Sequence, residues 1–191
     1  MSDDRGADES LTRPGVTEAK GVFRTGQVDV FGADEQSDEP VDTIRWVGLA
    51  GSVLEAEGVR GDVEASLLFV DERAMAELNL RFLGRTGPTD VLAFPIDDDV
   101  YEGSRSADSL GPGPGADPEL ADLPTILGDV VVCPAVARRN APDHAGTYDD
   151  ELALLVVHGV LHLLGLDHAQ AAEAEKMERR EQELLDRFHR P

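Results

Sequence analysis

The chain has 191 residues, enough for one domain with a real core, and 41% of them are hydrophobic. Its formal net charge of −22 argues against a broad nucleic-acid-binding surface. Cys133 is the only cysteine, which excludes an intramolecular disulfide and fits a reducing compartment.

The charge is unevenly spread. Residues 1–42 hold eleven acids against four bases, and residues 97–122 hold eight acids against one. These two segments therefore carry −14 of the −22. No basic-then-apolar leader and no apolar run of about eighteen residues is present, so a cytoplasmic protein with no membrane partner is expected.

Residues 1–26 are polar and acidic without apolar period, and read as a disordered N-terminal tail. Residues 27–191 read as a single domain. Val28 to Phe31 alternates and suggests a first, edge strand. Residues 32–40 form an acidic loop. Pro40 begins a helical pattern to about Glu57, with Val41, Ile44, Val47, Leu49 and Leu54 on its apolar face. Val63 to Val70 reads as a well-covered strand. Asp71 is placed to cap a helix from Glu72 to about Leu83 that turns Met75, Leu78 and Phe82 inward. Asp90 to Phe94 is a short strand ended by Pro95.

Residues 97–124 are rich in Gly, Pro and acids, and read as a flexible acidic insertion. Ile126 to Cys133 is a further strand, and its Val130-Val131-Val132 run points to a buried, inert thiol at Cys133. Pro134 starts a short helix to Asn140. Asp149 or Asp150 opens the next helix, which is apolar nearly all round. A charged helix runs from Gln170 to Phe188, with Met177, Leu184 and Leu185 inward. This order predicts an α+β fold: a small mixed sheet of about four strands packed by helices, with the apolar helix at the centre.

That central helix carries the chemistry. His158 and His162 stand four residues apart, so they share a helix face one turn apart. Gly165 is suited to end the helix, because a residue past the cap often needs positive φ. The chain can then return His168 to the same point. Three imidazoles and an open position describe a catalytic zinc site, which points to hydrolysis. The spacing matches the metzincin metalloproteases, but Gly159 stands where those enzymes carry their glutamate base. The pattern is strong for a metal and weak for a protease. Gly159 is expected to open space beside the ion.

The run from His158 to His168 resembles the signature of the YbeY family, bacterial endoribonucleases that mature ribosomal RNA. Two further stretches agree: Glu77-Leu78-Asn79 with Gly87 to Pro95, and Leu127-Gly128-Asp129-Val130-Val131. The likeness covers roughly residues 60–185. It implies a zincin-like α+β domain with one zinc ion on His158, His162 and His168. It also implies single-strand-specific cleavage of RNA in maturation of the 3′ end of the small-subunit (16S) ribosomal RNA and in ribosome quality control. The implied partners are single-stranded ribosomal RNA, the small ribosomal subunit and its proteins, and not DNA. Family members often carry an arginine where Leu83 stands, so Arg81 becomes the candidate catalytic residue. Ala93 replaces a common serine.

Other residues are weaker candidates. Asp167 could orient a ligand or take a proton. Arg138 and Arg139 could touch phosphates, although a solvated helix face is the plainer reading. Asp129 could bond backbone near the site. Thr89 and Asp90 suit a strand-start hydrogen bond. His144 and His189 receive no role. Two other functions compete: a metal-dependent hydrolase of another bond, including a protease without the usual Glu, and a non-catalytic ribosome-associated module whose zinc only holds the fold.

Overall fold

A computed structural model of the chain describes residues 19–24, 28–96, 124–166 and 171–190. Residues 1–18 of the expected tail and 97–123 of the expected insertion lie outside the described residues. The strands are β1 (Ala19–Arg24), β2 (Val28–Asp34), β3 (Val63–Phe69), β4 (Val91–Pro95) and β5 (Thr125–Val132). They form one mixed sheet in the order β1-β2-β3-β5-β4. The pairs β2–β3 and β3–β5 are parallel, while the outer pairs are antiparallel.

The sheet thus has five strands rather than about four. The added strand, β1, falls within the stretch read as tail, and it moves β2 from the edge to an inner position. Only Val22 and Phe23 are large and apolar in β1, so the local pattern is weak. Pairing to β2 supplies what the pattern lacks, with Val22 opposite Phe31 and Arg24 opposite Asp29. Arg24 also forms an ion pair with Asp29 at 3.2 Å.

The helices are α1 (Thr43–Ala56), α2 (Glu72–Leu83), α3 (Pro134–Asn140), α4 (Tyr148–Leu163) and α5 (Ala171–Phe188). Asp42 caps α1, so this helix starts three residues after Pro40. Asp71 caps α2 as expected, accepting from the Ala74 N–H at 2.7 Å. The cap of α4 is Thr147, not Asp149 or Asp150. Its hydroxyl accepts from the Asp150 N–H at 3.1 Å and donates to the Asp150 carboxylate at 2.6 Å. The Thr-x-x-Asp spacing is that of a capping box with the acid at N3, except that the carboxylate accepts from the Thr147 hydroxyl rather than from its backbone N–H.

Strand alternation divides the core in two. Leu67, Phe69, Val130 and Val132 face the main core with Trp46, Val53 and Leu54 of α1 and Val156, Val160 and Leu161 of α4. Leu68, Val131 and Leu92 face the other way, toward Met75 and Leu78 of α2. Helix α4 is therefore central, as its apolar composition required. Two expected inward residues are not inward: Ile44 is 72% exposed and Phe82 is 54% exposed. The second face is small, and Met75 and Leu78 already occupy α2's contact with it. Cys133 is buried and its thiol is raised by that burial, in line with an inert role. Among the described residues, no helix is long and apolar enough to cross a membrane.

Candidate metal centre

Helix α4 brings His158 and His162 together as the spacing predicts. Their Nε2 atoms are 3.0 Å apart. The rings are nearly perpendicular, with centroids 4.5 Å apart. Two nitrogens on a tetrahedral ion, each about 2.0–2.1 Å from it, lie roughly 3.3 Å from one another. The observed separation is within a few tenths of an ångström of that value. The two Nε2 atoms are thus close enough to share one divalent cation, and the same distance lets one ring hydrogen-bond to the other.

Glu181 of α5 completes this arrangement from behind. Its carboxylate lies 2.7 Å from His158 Nδ1 and is only 8% exposed. A proton on Nδ1 donated to that carboxylate leaves the Nε2 lone pair for a metal. Glu181 was not anticipated from the sequence. Its signal was there: it lies one turn after Met177 and one before Leu184 and Leu185, all inward, so it is a carboxylate on an apolar helix face.

The end of α4 fixes the exit of the chain. Leu164 is the cap and Gly165 follows at φ 80°. Gly165 N–H donates to the His162 carbonyl at 3.0 Å, and Leu166 N–H donates to the Leu161 carbonyl at 3.1 Å. This is the Schellman pattern that positive φ allows. His168 and Asp167 lie outside the described residues. Among the described residues, no group of three or more His, Cys, Asp or Glu is placed to hold a metal. Two imidazoles therefore stand ready, and the third ligand is expected from beyond Leu166.

Gly159 does not open space at the metal point. It is buried and faces the sheet: a Cβ there would stand 2.5 Å from Val130 Cγ1 and 3.3 Å from Val91 Cγ2. The glycine lets α4 lie close on β4 and β5. The expectation of a substrate gap beside His158 is corrected on that ground. The remaining candidates are distributed over the fold. Arg81 is in the last turn of α2, whose inward residues pack on the sheet face away from α4. Arg138 pairs with Glu39 at 2.7 Å and Arg139 with Glu72 at 2.6 Å, so both are engaged by carboxylates. Asp90 starts β4 through bonds from the Thr89 hydroxyl and the Val91 N–H, and holds Asn140. Asp129 is on β5 opposite Phe94. His144 contacts the fully buried Glu151, and His189 contacts Asp150.

A family model described as Endoribonuclease YbeY matches residues 32–189. A protein named Endoribonuclease YbeY from Salinispora tropica is 46% identical over 142 residues, covering 74% of this chain and 85% of that one. Others of the same name from Frankia casuarinae and Thermobifida fusca are each 43% identical over 156 residues. Those alignments cover 82% and 81% of this chain, and 72% and 91% of the relatives. A solution structure of a Thermotoga maritima protein aligns over 78% of this chain and 87% of its own, with 28% identity and a TM-score of 0.46. The chain belongs to the YbeY endoribonuclease family.

Proposed function

We propose that this endoribonuclease is zinc-dependent and cuts single-stranded RNA, with one ion held by His158, His162 and His168. Its substrate in this reading is ribosomal RNA near the 3′ end of the small-subunit (16S) molecule. Its partners are the small ribosomal subunit and its proteins, in the cytoplasm. The observation that carries the metal is the convergence of two Nε2 atoms to 3.0 Å, backed by Glu181. A zincin-like description of the fold rests on the same helix, with two histidines one turn apart and a glycine stop.

Bound zinc would lower the pKa of a coordinated water to about 7 and polarise a phosphate oxygen. The protein's own part is positional. Glu181 holds His158 in the tautomer whose Nε2 is unprotonated, and α4 holds His162 at the matching angle. The Schellman turn at Gly165 directs the chain onward toward His168. Asp167 is the nearest carboxylate in sequence to take a proton. A protease reading finds less support, because position 159 is turned into the sheet and has no room for a glutamate base. Arg81 is better suited to holding substrate than to the bond-breaking step, given its place on α2.

The test combines metal analysis of the purified protein with cleavage of a single-stranded ribosomal RNA fragment. Metal-loaded protein should cleave, and His158→Ala should lose both metal and cleavage. Equal cleavage by the two proteins would overturn the proposal.

A further inference from the structure

Helix α2 ends on a surface that the core does not use. Leu80, Phe82 and Leu83 are 56%, 54% and 53% exposed. Phe82 is the one exposed phenyl, phenol or indole ring among the described residues. It is also held in place. Phe94 of β4 meets it edge-on, with centroids 4.8 Å apart. The Arg81 guanidinium lies 5.3 Å from the Phe82 centroid.

Arg45, Arg73, Arg138, Arg139 and Arg180 each pair with a carboxylate. Arg81 and Arg85 are exposed and have no carboxylate partner among the described residues. Arg60, Arg179 and Arg187 likewise show no carboxylate partner among the described residues, so what marks this ridge is that Arg81 lies against a fixed, exposed ring and Arg85 follows three residues after it. Arg85 is also steadied. Asn79 Nδ2 donates to the Gly87 carbonyl at 2.8 Å, and Arg85 N–H donates to the Asn79 carbonyl at 3.4 Å. The loop so held runs directly into β4, whose first residue, Val91, lies against α4 at Gly159, next to His158. The ridge and the imidazole pair therefore border one edge strand from its two faces.

We propose that Phe82, with Arg81 and Arg85, is a base-stacking clamp that holds single-stranded RNA outside the metal centre. The ring offers a face to an unstacked base, and the guanidiniums neutralise the flanking phosphates. A duplex keeps its base faces inside the helix and cannot use such a ring. An apolar protein partner would use Leu80 and Leu83 but would not require two open cations. The inference rests on the RNA-cleaving reading above and adds where the strand is gripped.

The experiment uses the full chain carrying His158→Ala, so that binding is read without cleavage. A fluorescein-labelled single-stranded RNA of about a dozen nucleotides and a blunt RNA duplex are titrated by anisotropy. In this background Phe82→Leu should weaken single-strand binding about tenfold, and Phe82→Tyr should restore it. Arg81→Gln with Arg85→Gln should lower the salt slope by roughly two, and the duplex should bind much more weakly than the single strand. Thermal unfolding checks the fold of each variant. Arg85→Gln, at an exposed position, carries the test alone should Phe82→Leu not fold. Unchanged single-strand affinity in Phe82→Leu or, failing that, in Arg85→Gln overturns the clamp and leaves the metal centre standing. It would also mark the ridge as a surface for some other partner. If the wild-type chain neither binds nor cleaves RNA, the wider reading fails first.

Discussion

Glutamate at position 159 would restore the metzincin base in sequence, and the structure predicts that it would break the protein instead. The first added atom already decides the matter. A Cβ at Gly159 stands 2.5 Å from Val130 Cγ1 and 3.3 Å from both Val130 Cγ2 and Val91 Cγ2. Val130 is 1% exposed on β5, a strand paired on both sides, and its branched side chain has little rotamer freedom. It cannot retreat without moving the sheet. Alanine at 159 gains about 1 kcal/mol of helix propensity. The overpacking it causes costs about 1–3 kcal/mol, so a net loss near 1 kcal/mol is expected. For a domain of this size that lowers Tm by about 2–4 °C. Gly159→Glu adds a carboxylate against buried valine side chains, and the loss should exceed about 4 kcal/mol. Urea and thermal unfolding of both variants measure this. A Gly159→Glu protein as stable as its parent would refute the reasoning. It would mean that the position opens on the site, and the protease reading would return.

Two further outcomes follow from the hydrogen bonds around α4. Glu181→Ala should weaken metal affinity by about 10–100-fold in chelator competition, with Glu181→Gln retaining part of it through its amide oxygen. An unchanged affinity in Glu181→Ala would show that the His158 contact is idle. Asp150 is held down at about 2, first by the Thr147 hydroxyl and then by Arg190 and His189, with burial opposing. Its folded value lies below its ordinary 3.8, so the stability it contributes is present above that pH and is lost as pH falls toward about 2. Asp150→Asn should be less stable at neutral pH and should flatten the loss between pH 4 and pH 2. Parallel urea midpoints for the two proteins across that window would contradict this.

The parts legible in the sequence were those whose cause is local. The i, i+4 spacing of His158 and His162 fixes their shared face, and the convergence followed. Asp71, Pro134 and Gly165 act on the turn they begin or end, so α2, α3 and the end of α4 were readable. The parts that were not legible depend on a neighbour. Strand β1 exists because β2 offers it an open edge. Phe82 is apolar and so reads as inward, but it meets the second face only at the rim, against Phe94, and stays 54% exposed. A helical wheel gives the direction of Gly159 and not what lies there, and the answer was Val130 rather than solvent. Glu181 gained its meaning only when α5 was laid beside α4. His168, expected as the third ligand, belongs to residues outside those described.

Metal removal separates a catalytic ion from one that merely holds the fold. The main core is closed by Trp46, Leu54, Leu67, Phe69, Leu127 and Leu161, each at most 2% exposed, and neither His158 nor His162 is among its buried residues. His158 and His162 lie half-buried at its margin. Glu181 already ties His158 to α5, and one ring can donate to the other across 3.0 Å. Chelation should therefore leave the protein folded, unlike a zinc finger, whose apo form is unfolded. Trp46, 2% exposed and the only tryptophan, is a direct reporter. Its emission should stay at the wavelength of a buried indole when the metal is stripped. Zinc at about a hundred times its dissociation constant should then add about 2.7 kcal/mol, or roughly 5–10 °C in Tm. If Trp46 emission moves to that of a solvated indole on chelation, the ion is part of the fold itself. The two preset imidazoles would then no longer argue for an ion free to do chemistry.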